Sequence, residues 1–323
     1  MGNALISAEH LNKHFTVKSW FSPSRTVRAV DDVSLYIDEG ETFGLVGETS
    51  CGKSTLGRTL LRLHEPTSGS IVYRGKDITK VNMRPYRSRM QIIFQDPAGS
   101  MDPQMKIGGL FDEVLKANGI GENTSDRLDI SKEHLQMVGL KPEAVERYPS
   151  EFSGGEQQRI SIARTLILKP EFLVCDEPTS ALDVSIQAQI INLLEDLQKQ
   201  LGLTYLFISH NLPIVRHISD RIGVMYLGKI IELGSSSEVY SAPLHPYTSA
   251  LMASVPIPDP RSTHKAMTQK IHGDIGSGSS VPTGCRFHPR CPYAEERCRL
   301  EEPPFAEHSP GHFCSCWKPD AAR

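Results

Sequence analysis

Hydrophobic positions along the chain change period several times, and each change predicts an element. Val33, Leu35 and Ile37 alternate with polar neighbours, the period-2 mark of a half-buried strand, and residues 1–40 read as β-rich. Gly40 breaks the pattern. Residues 42–46 form a short apolar strand, followed by a Gly-rich turn and a helix from about Lys53. Residues 70–73 and 90–94 are further strand candidates, whereas residues 103–150 are more helical. The runs at 172–175 and 204–208 are apolar throughout and bounded by polar residues, which suits buried parallel strands. Residues 186–201 read as a helix between them. Residues 222–227 and 229–233, pivoting near Gly228, read as a hairpin. The pattern predicts an α/β fold with a parallel core sheet, an antiparallel portion and a helical insert.

Beyond about residue 240 the periodicity fades. Residues 255–284 hold several Pro, Gly and Ser residues and read as a linker or irregular arm. A cysteine-rich segment follows. The chain has 323 residues, enough for about two domains. Lys and Arg number 35 against 38 Asp and Glu, a net charge of −3, so no basic field argues for nucleic acid as a partner. No stretch reaches the ~18 apolar residues that span a bilayer. The first residues lack a basic segment followed by an apolar one, so the chain is expected to stay in the cytosol.

Candidate chemistry begins at Gly47-Glu48-Thr49-Ser50-Cys51-Gly52-Lys53-Ser54, with Thr55 next. This string fits G-x-x-x-x-G-K-[ST] and lies between an apolar strand and a helix, the context a P-loop requires. Glycines let the backbone fold tightly so that its N–H groups converge on phosphate oxygens. Lys53 supplies a point charge for the β- and γ-phosphates, and Ser54 a hydroxyl for Mg²⁺. Asp176 and Glu177 end the apolar run at 172–175, where parallel strands present ligand-binding groups. Asp176 suits Mg²⁺, and Glu177 suits a general base that polarises the attacking water.

Phe152-Ser153-Gly154-Gly155-Glu156-Gln157-Gln158-Arg159 resembles the signature of ABC ATPases, with Phe for the usual Leu and Glu for the usual Gln. Ser153 and Glu156 also form an S-x-x-E capping box opening a helix over 156–168, whose N-terminus is an anion site. The resemblance implies a P-loop NTPase (RecA-like) core with an antiparallel β subdomain and a helical subdomain. It implies that the signature helix binds the γ-phosphate of ATP held by a partner subunit. Gln95 then looks like the Q-loop residue that contacts Mg²⁺ and water, Asp183 like the D-loop residue at the dimer interface, and His210 like the switch histidine. Phe15 looks like the aromatic that stacks on adenine. Leu244-His245-Pro246-Tyr247-Thr248 resembles the HPY element of oligopeptide and dipeptide importers, and Ser185, Ile186 and residues 205–209 look more like their F-type than their D-type subunit.

That likeness implies a nucleotide-binding domain over residues 1–240, with its helical subdomain at about 97–165, and a small irregular Cys-rich extension over 241–323. It implies an ATP-sandwich dimer with an identical or paralogous ATPase subunit. It further implies two transmembrane permease subunits, an extracytoplasmic solute-binding protein, and a peripheral place on the cytoplasmic face of the membrane. Import of peptides is the function implied. A soluble repair- or translation-type ABC ATPase, or an importer of nickel, glutathione or another small solute, is the alternative.

Of seven cysteines, five crowd into residues 285–316. In a reducing compartment such a cluster reads as metal ligation before disulfides. The spacing Cys285-x5-Cys291-x6-Cys298-x17-Cys316, with Cys314 as an alternative fourth member, lacks the paired arms of a zinc ribbon and differs from ferredoxin runs. The family resemblance implies a [4Fe–4S] cluster; Zn²⁺ and unligated thiols remain alternatives. A small extension with few apolar residues favours some ligand as a staple. Cys175 reads as core packing, and Cys51, inside the P-loop, as incidental or as an oxidation-sensitive thiol.

Overall fold

The computed structural model describes residues 4–17, 24–254, 281–319 and 321. Most of the expected irregular arm, at 255–280, lies outside the described residues. The chain divides into two compact units. One comprises residues 1–37, 42–81 and 208–323; the other comprises 38–41 and 82–207.

The first unit holds two sheets. Strands β1 (Ala4–Val17), β2 (Arg25–Asp38), β4 (Ser68–Tyr73) and β5 (Lys76–Asp77) run in the order β2-β1-β4-β5. β1 pairs antiparallel with β4, Ile6 opposite Tyr73, and a bulge interrupts the ladder between Glu9 and Asn12. This is the expected antiparallel portion. In the other sheet, β3 (Thr42–Val46) is parallel to β9 (Arg221–Tyr226), and β10 (Lys229–Ser235) folds back on β9 as the anticipated hairpin. Every residue of β3 is buried, which explains its unbroken apolar character. Helix α1 (Lys53–Leu60) leaves the loop after β3.

One expectation is corrected here. The Cys-rich extension is not wholly irregular: β11 (Ala306–Ser309) and β12 (His312–Cys314) continue the sheet, β12 lying antiparallel to β10 with Cys314 opposite Glu232. For β11 the driving force is pairing at an open strand edge, not side-chain alternation, since it is almost wholly exposed. Fully buried Glu232 accepts hydrogen bonds from the Leu244 and His245 N–H groups and pairs with His312 Nε2 at 2.8 Å. A buried carboxylate needs such partners.

The second unit carries strands β6 (Met90–Ile93), β7 (Phe172–Asp176) and β8 (Thr204–Ile208) in the order β8-β7-β6, with β6 parallel to β7. Phe94, expected within the strand, lies beyond it and is 37% exposed. The helical segment resolves into α2 (Ile107–Ala117), α3 (Thr124–Met137) and α4 (Gly154–Leu166). Ile107, Leu110, Phe111 and Leu115 are buried on α2, the i, i+3, i+4, i+8 stripe of a core-facing helix. α5 (Val184–Leu201) buries Ile190, Ile191, Leu194 and Leu197 and ends on Gly202 at φ 65°. Only a residue without Cβ adopts that left-handed cap without strain.

Candidate nucleotide site and cysteine cavity

In the first unit the P-loop is a tight turn whose glycines are dictated by what surrounds them. A Cβ on Gly47 would lie 2.2 Å from the Met225 carbonyl oxygen, and one on Gly52 would lie 2.0 Å from that of Ala29. Both positions also have positive φ. The Lys53 ammonium is buried and donates to the Gly47 and Glu48 carbonyls at 2.8 and 2.9 Å, so the loop folds around its own lysine. Ser54 sits in the first turn of α1, and the helix presents its N-terminus toward the loop. Cys51 is buried, and burial pushes its thiol up despite the nearby Lys53 charge. A protonated, covered thiol is poorly reactive, which favours the incidental reading of Cys51. Phe15 is half-exposed, meeting His64 edge-on at 5.5 Å with the Lys13 ammonium 4.9 Å from its ring centroid. His210 follows β8 and is exposed.

In the second unit Asp176 is the last residue of β7 and is buried, with Glu177 immediately after it at φ 49°. A non-glycine residue held in that region is uncommon and frequently marks a functional turn. Gln95, two residues past β6, donates from Nε2 to Glu177 Oε2 at 3.4 Å. The expected Q-loop glutamine and the expected base thus come together across parallel strands. The signature helix starts at Gly154, two residues earlier than expected, because Ser153 is its N-cap. Ser153 N–H and Oγ donate to Glu156 Oε2 at 2.9 and 2.8 Å, completing the capping box. Those bonds hold the Glu156 carboxyl below its ordinary range. Asp183 caps α5 in the same manner, accepting from Ser185 Oγ at 2.7 Å and Ile186 N–H at 3.1 Å. Its carboxyl is lowered chiefly by the Ser185 bond.

Cys285, Cys291, Cys298 and Cys316 line one small cavity together with His245, Phe287, Tyr293 and Trp317. Cys314 is buried within β12 instead and does not line the cavity, whereas Cys316 does. Burial pushes Cys285 up to about 11 and Cys316 up to about 12, and raises Cys291. Among the described residues no three His, Cys, Asp or Glu side chains form a group close enough to hold a metal ion. Four thiols on one apolar cavity are nevertheless a soft donor set, the chemistry that suits zinc or an iron–sulfur cluster.

Sequence reasoning missed two arginines in the Cys285–Cys291 span. Arg286 contacts Asp31 and the Leu227 carbonyl, and Arg290 forks onto Glu48 of the P-loop at 2.8 and 2.9 Å. Nothing local marks them, because their partners lie 255 and 242 residues away.

Residues 30–180 match the family described as ABC transporter, and residues 231–298 match the oligopeptide/dipeptide transporter C-terminal region. The oligopeptide transport ATP-binding protein AppF of Bacillus subtilis is 46% identical over 318 residues, covering 97% of this chain and 96% of its own. A second B. subtilis chain, provisionally named oligopeptide transport ATP-binding protein YkfD, is 48% identical over 97% of this chain and 94% of its own. Among solved structures, the dimeric ATP-binding cassette MJ0796 bound to ADP and Pi aligns with TM-score 0.63 at 24% identity, over 72% of this chain and 98% of its own. That likeness carries the fold alone, and it agrees with the cassette architecture expected from the motifs. The chain belongs to the ATP-binding subunits of the oligopeptide/dipeptide ABC transporter family.

Proposed function

We propose that this chain hydrolyses ATP to power peptide import, working as an ATP-sandwich dimer with itself or a paralogous subunit. The observation that carries this reading is the oligopeptide/dipeptide transporter region matched at residues 231–298, C-terminal to the ABC transporter region matched at 30–180. Residues 1–240 serve as the nucleotide-binding domain and residues 241–323 as the importer-type extension. Lys53 and the loop amides of residues 47–55 bind the β- and γ-phosphates, while Ser54, Gln95 and Asp176 serve Mg²⁺, which when bound neutralises phosphate charge. Glu177 takes a proton from the attacking water, Gln95 orients it, and His210 donates to the γ-phosphate. Phe15 stacks on the adenine. Ser153, Gly154, Gly155 and Glu156 face the ATP of the partner subunit, with Asp183 at the same interface. The chain acts on the cytoplasmic face of the membrane through two permease subunits, fed by an extracytoplasmic solute-binding protein. Among the described residues no helix is long and apolar enough to cross a membrane.

The test is to purify the chain with its permeases in lipid and assay ATP turnover with loaded solute-binding protein. Peptides are expected to stimulate hydrolysis. Stimulation by nickel or glutathione alone would reassign the cargo.

The four cavity thiols hold a [4Fe–4S] cluster in this proposal, a staple for the extension and not part of hydrolysis. Anaerobically purified protein is expected to carry about four iron per chain. Cys316→Ser should lose that iron, and Cys314→Ser should keep it. One equivalent of zinc without iron would replace the cluster by a zinc site.

A further inference from the structure

The P-loop is braced from outside the nucleotide-binding core. The two terminal guanidinium nitrogens of Arg290 engage both carboxylate oxygens of Glu48, at 2.8 and 2.9 Å, in the bidentate fork that gives Arg–carboxylate pairs their directionality. The Arg290 side chain is 8% exposed and that of Glu48 20%, so water screens this pair far less than a surface ion pair. The Glu48 N–H donates to the Tyr247 hydroxyl at 2.9 Å. Main chain and side chain of one P-loop residue are therefore both held by the C-terminal region.

The brace is itself rigid. Tyr247 is fully buried, its ring 4.7 Å from Tyr226 and 5.5 Å from Phe287. Arg290 also reaches the Tyr226 hydroxyl at 3.4 Å. The span that delivers Arg290 is anchored at Arg286, on Asp31 and the Leu227 carbonyl. Next to it, the Gly228 N–H donates to the Cys51 carbonyl at 2.8 Å, fixing the far side of the loop.

We propose that Arg290 and Tyr247 are positioning residues for ATP binding: they hold Glu48, and through it the P-loop backbone, in the shape that receives the phosphates. Neither touches nucleotide. Glu48 carries no phosphate-binding charge of its own; its carboxylate is the handle by which the C-terminal region grips the loop. The HPY tyrosine and the cysteine-flanked arginine thereby become parts of one device, with Cys291 adjacent to the gripping residue. The inference rests on the reading that this loop binds ATP, which the unsubstituted chain's own titration checks separately.

The experiment measures binding of a fluorescent ATP analogue and steady-state ATPase for Arg290→Met, Arg290→Lys, Tyr247→Phe, Glu48→Gln and the Glu48→Gln/Arg290→Met double variant, at a temperature below all their melting midpoints. Arg290→Met is expected to weaken analogue binding and raise KM about tenfold with kcat within about twofold, because pre-organisation of the ground-state loop is lost. Arg290→Lys should recover part of the affinity, since an ammonium keeps the charge without the fork. Tyr247→Phe should shift KM in the same direction. The double variant should bind no worse than Arg290→Met, because the two groups act as one pair. Unchanged analogue binding in Arg290→Met, or losses from Glu48 and Arg290 that simply add, would overturn the proposal. A fall in melting temperature with unaltered KM would do the same, reducing the brace to a stabilising contact.

Discussion

Glu177→Gln is expected to slow ATP turnover by at least ~10²-fold, the usual contribution of a positioned general base, while ATP affinity is retained. The amide keeps the shape of the side chain and its place beside Gln95, but it cannot accept the proton of the attacking water. Geometry supports this assignment. Glu177 stands one residue past buried Asp176, in a left-handed turn at φ 49°, and its carboxylate receives Gln95 Nε2 at 3.4 Å. The turn is pinned by the Ser180 N–H donating to the Glu177 carbonyl at 3.2 Å, so the substitution leaves the main-chain contacts in place. An interaction made only in the transition state lowers kcat and kcat/KM together. Single-turnover hydrolysis with pre-bound ATP separates this from slow product release. Undiminished hydrolysis in the variant would remove Glu177 from the chemistry.

Lys53→Ala should weaken ATP binding by at least ~10²-fold, because each hydrogen bond from the ammonium to phosphate contributes about 1.5–3 kcal/mol. The lysine has a second task that the substitution also removes. Its ammonium satisfies the Gly47 and Glu48 carbonyls in a buried setting. Lys53→Met preserves the apolar stem, so comparing the two variants separates lost charge from lost packing. Both should lose affinity to a similar degree if charge dominates. ATP bound with ordinary affinity by Lys53→Ala would contradict the P-loop assignment, and isothermal titration of the purified chain reads this directly.

The core elements were legible because their residues answer to local rules. Residues 42–46, 172–175 and 204–208 are apolar on both faces, and every residue of strands β3, β7 and β8 is buried. The capping box at Ser153 and Glu156 formed as its spacing dictates, since cap and third residue lie one turn apart. What stayed hidden depends on distant partners. Residues 1–40 read as β-rich, but the extent of β1 stayed hidden, because a bulge and His10 at positive φ break its alternation. Residues 306–309 have no apolar face and become a strand only by pairing with β12. Cys314 and Cys316 are equivalent by spacing. The end of β12 at Cys314 is what separates them, burying one in the sheet and leaving the other on the cavity. Among the candidate site residues, those named by motif were legible singly. The fork from Arg290 to Glu48 was not, because two charged residues 242 positions apart leave no local trace.

That separation also sets a timetable. A chain emerging from the ribosome at about 5–20 residues per second reaches Arg290 roughly 10–50 s after Glu48 has been made. The antiparallel pairing of β12 with β10 comes later still. Until then the P-loop lacks its Arg290 contact and the edge of β10 stands open, so during synthesis the loop is made early but receives its outer support late.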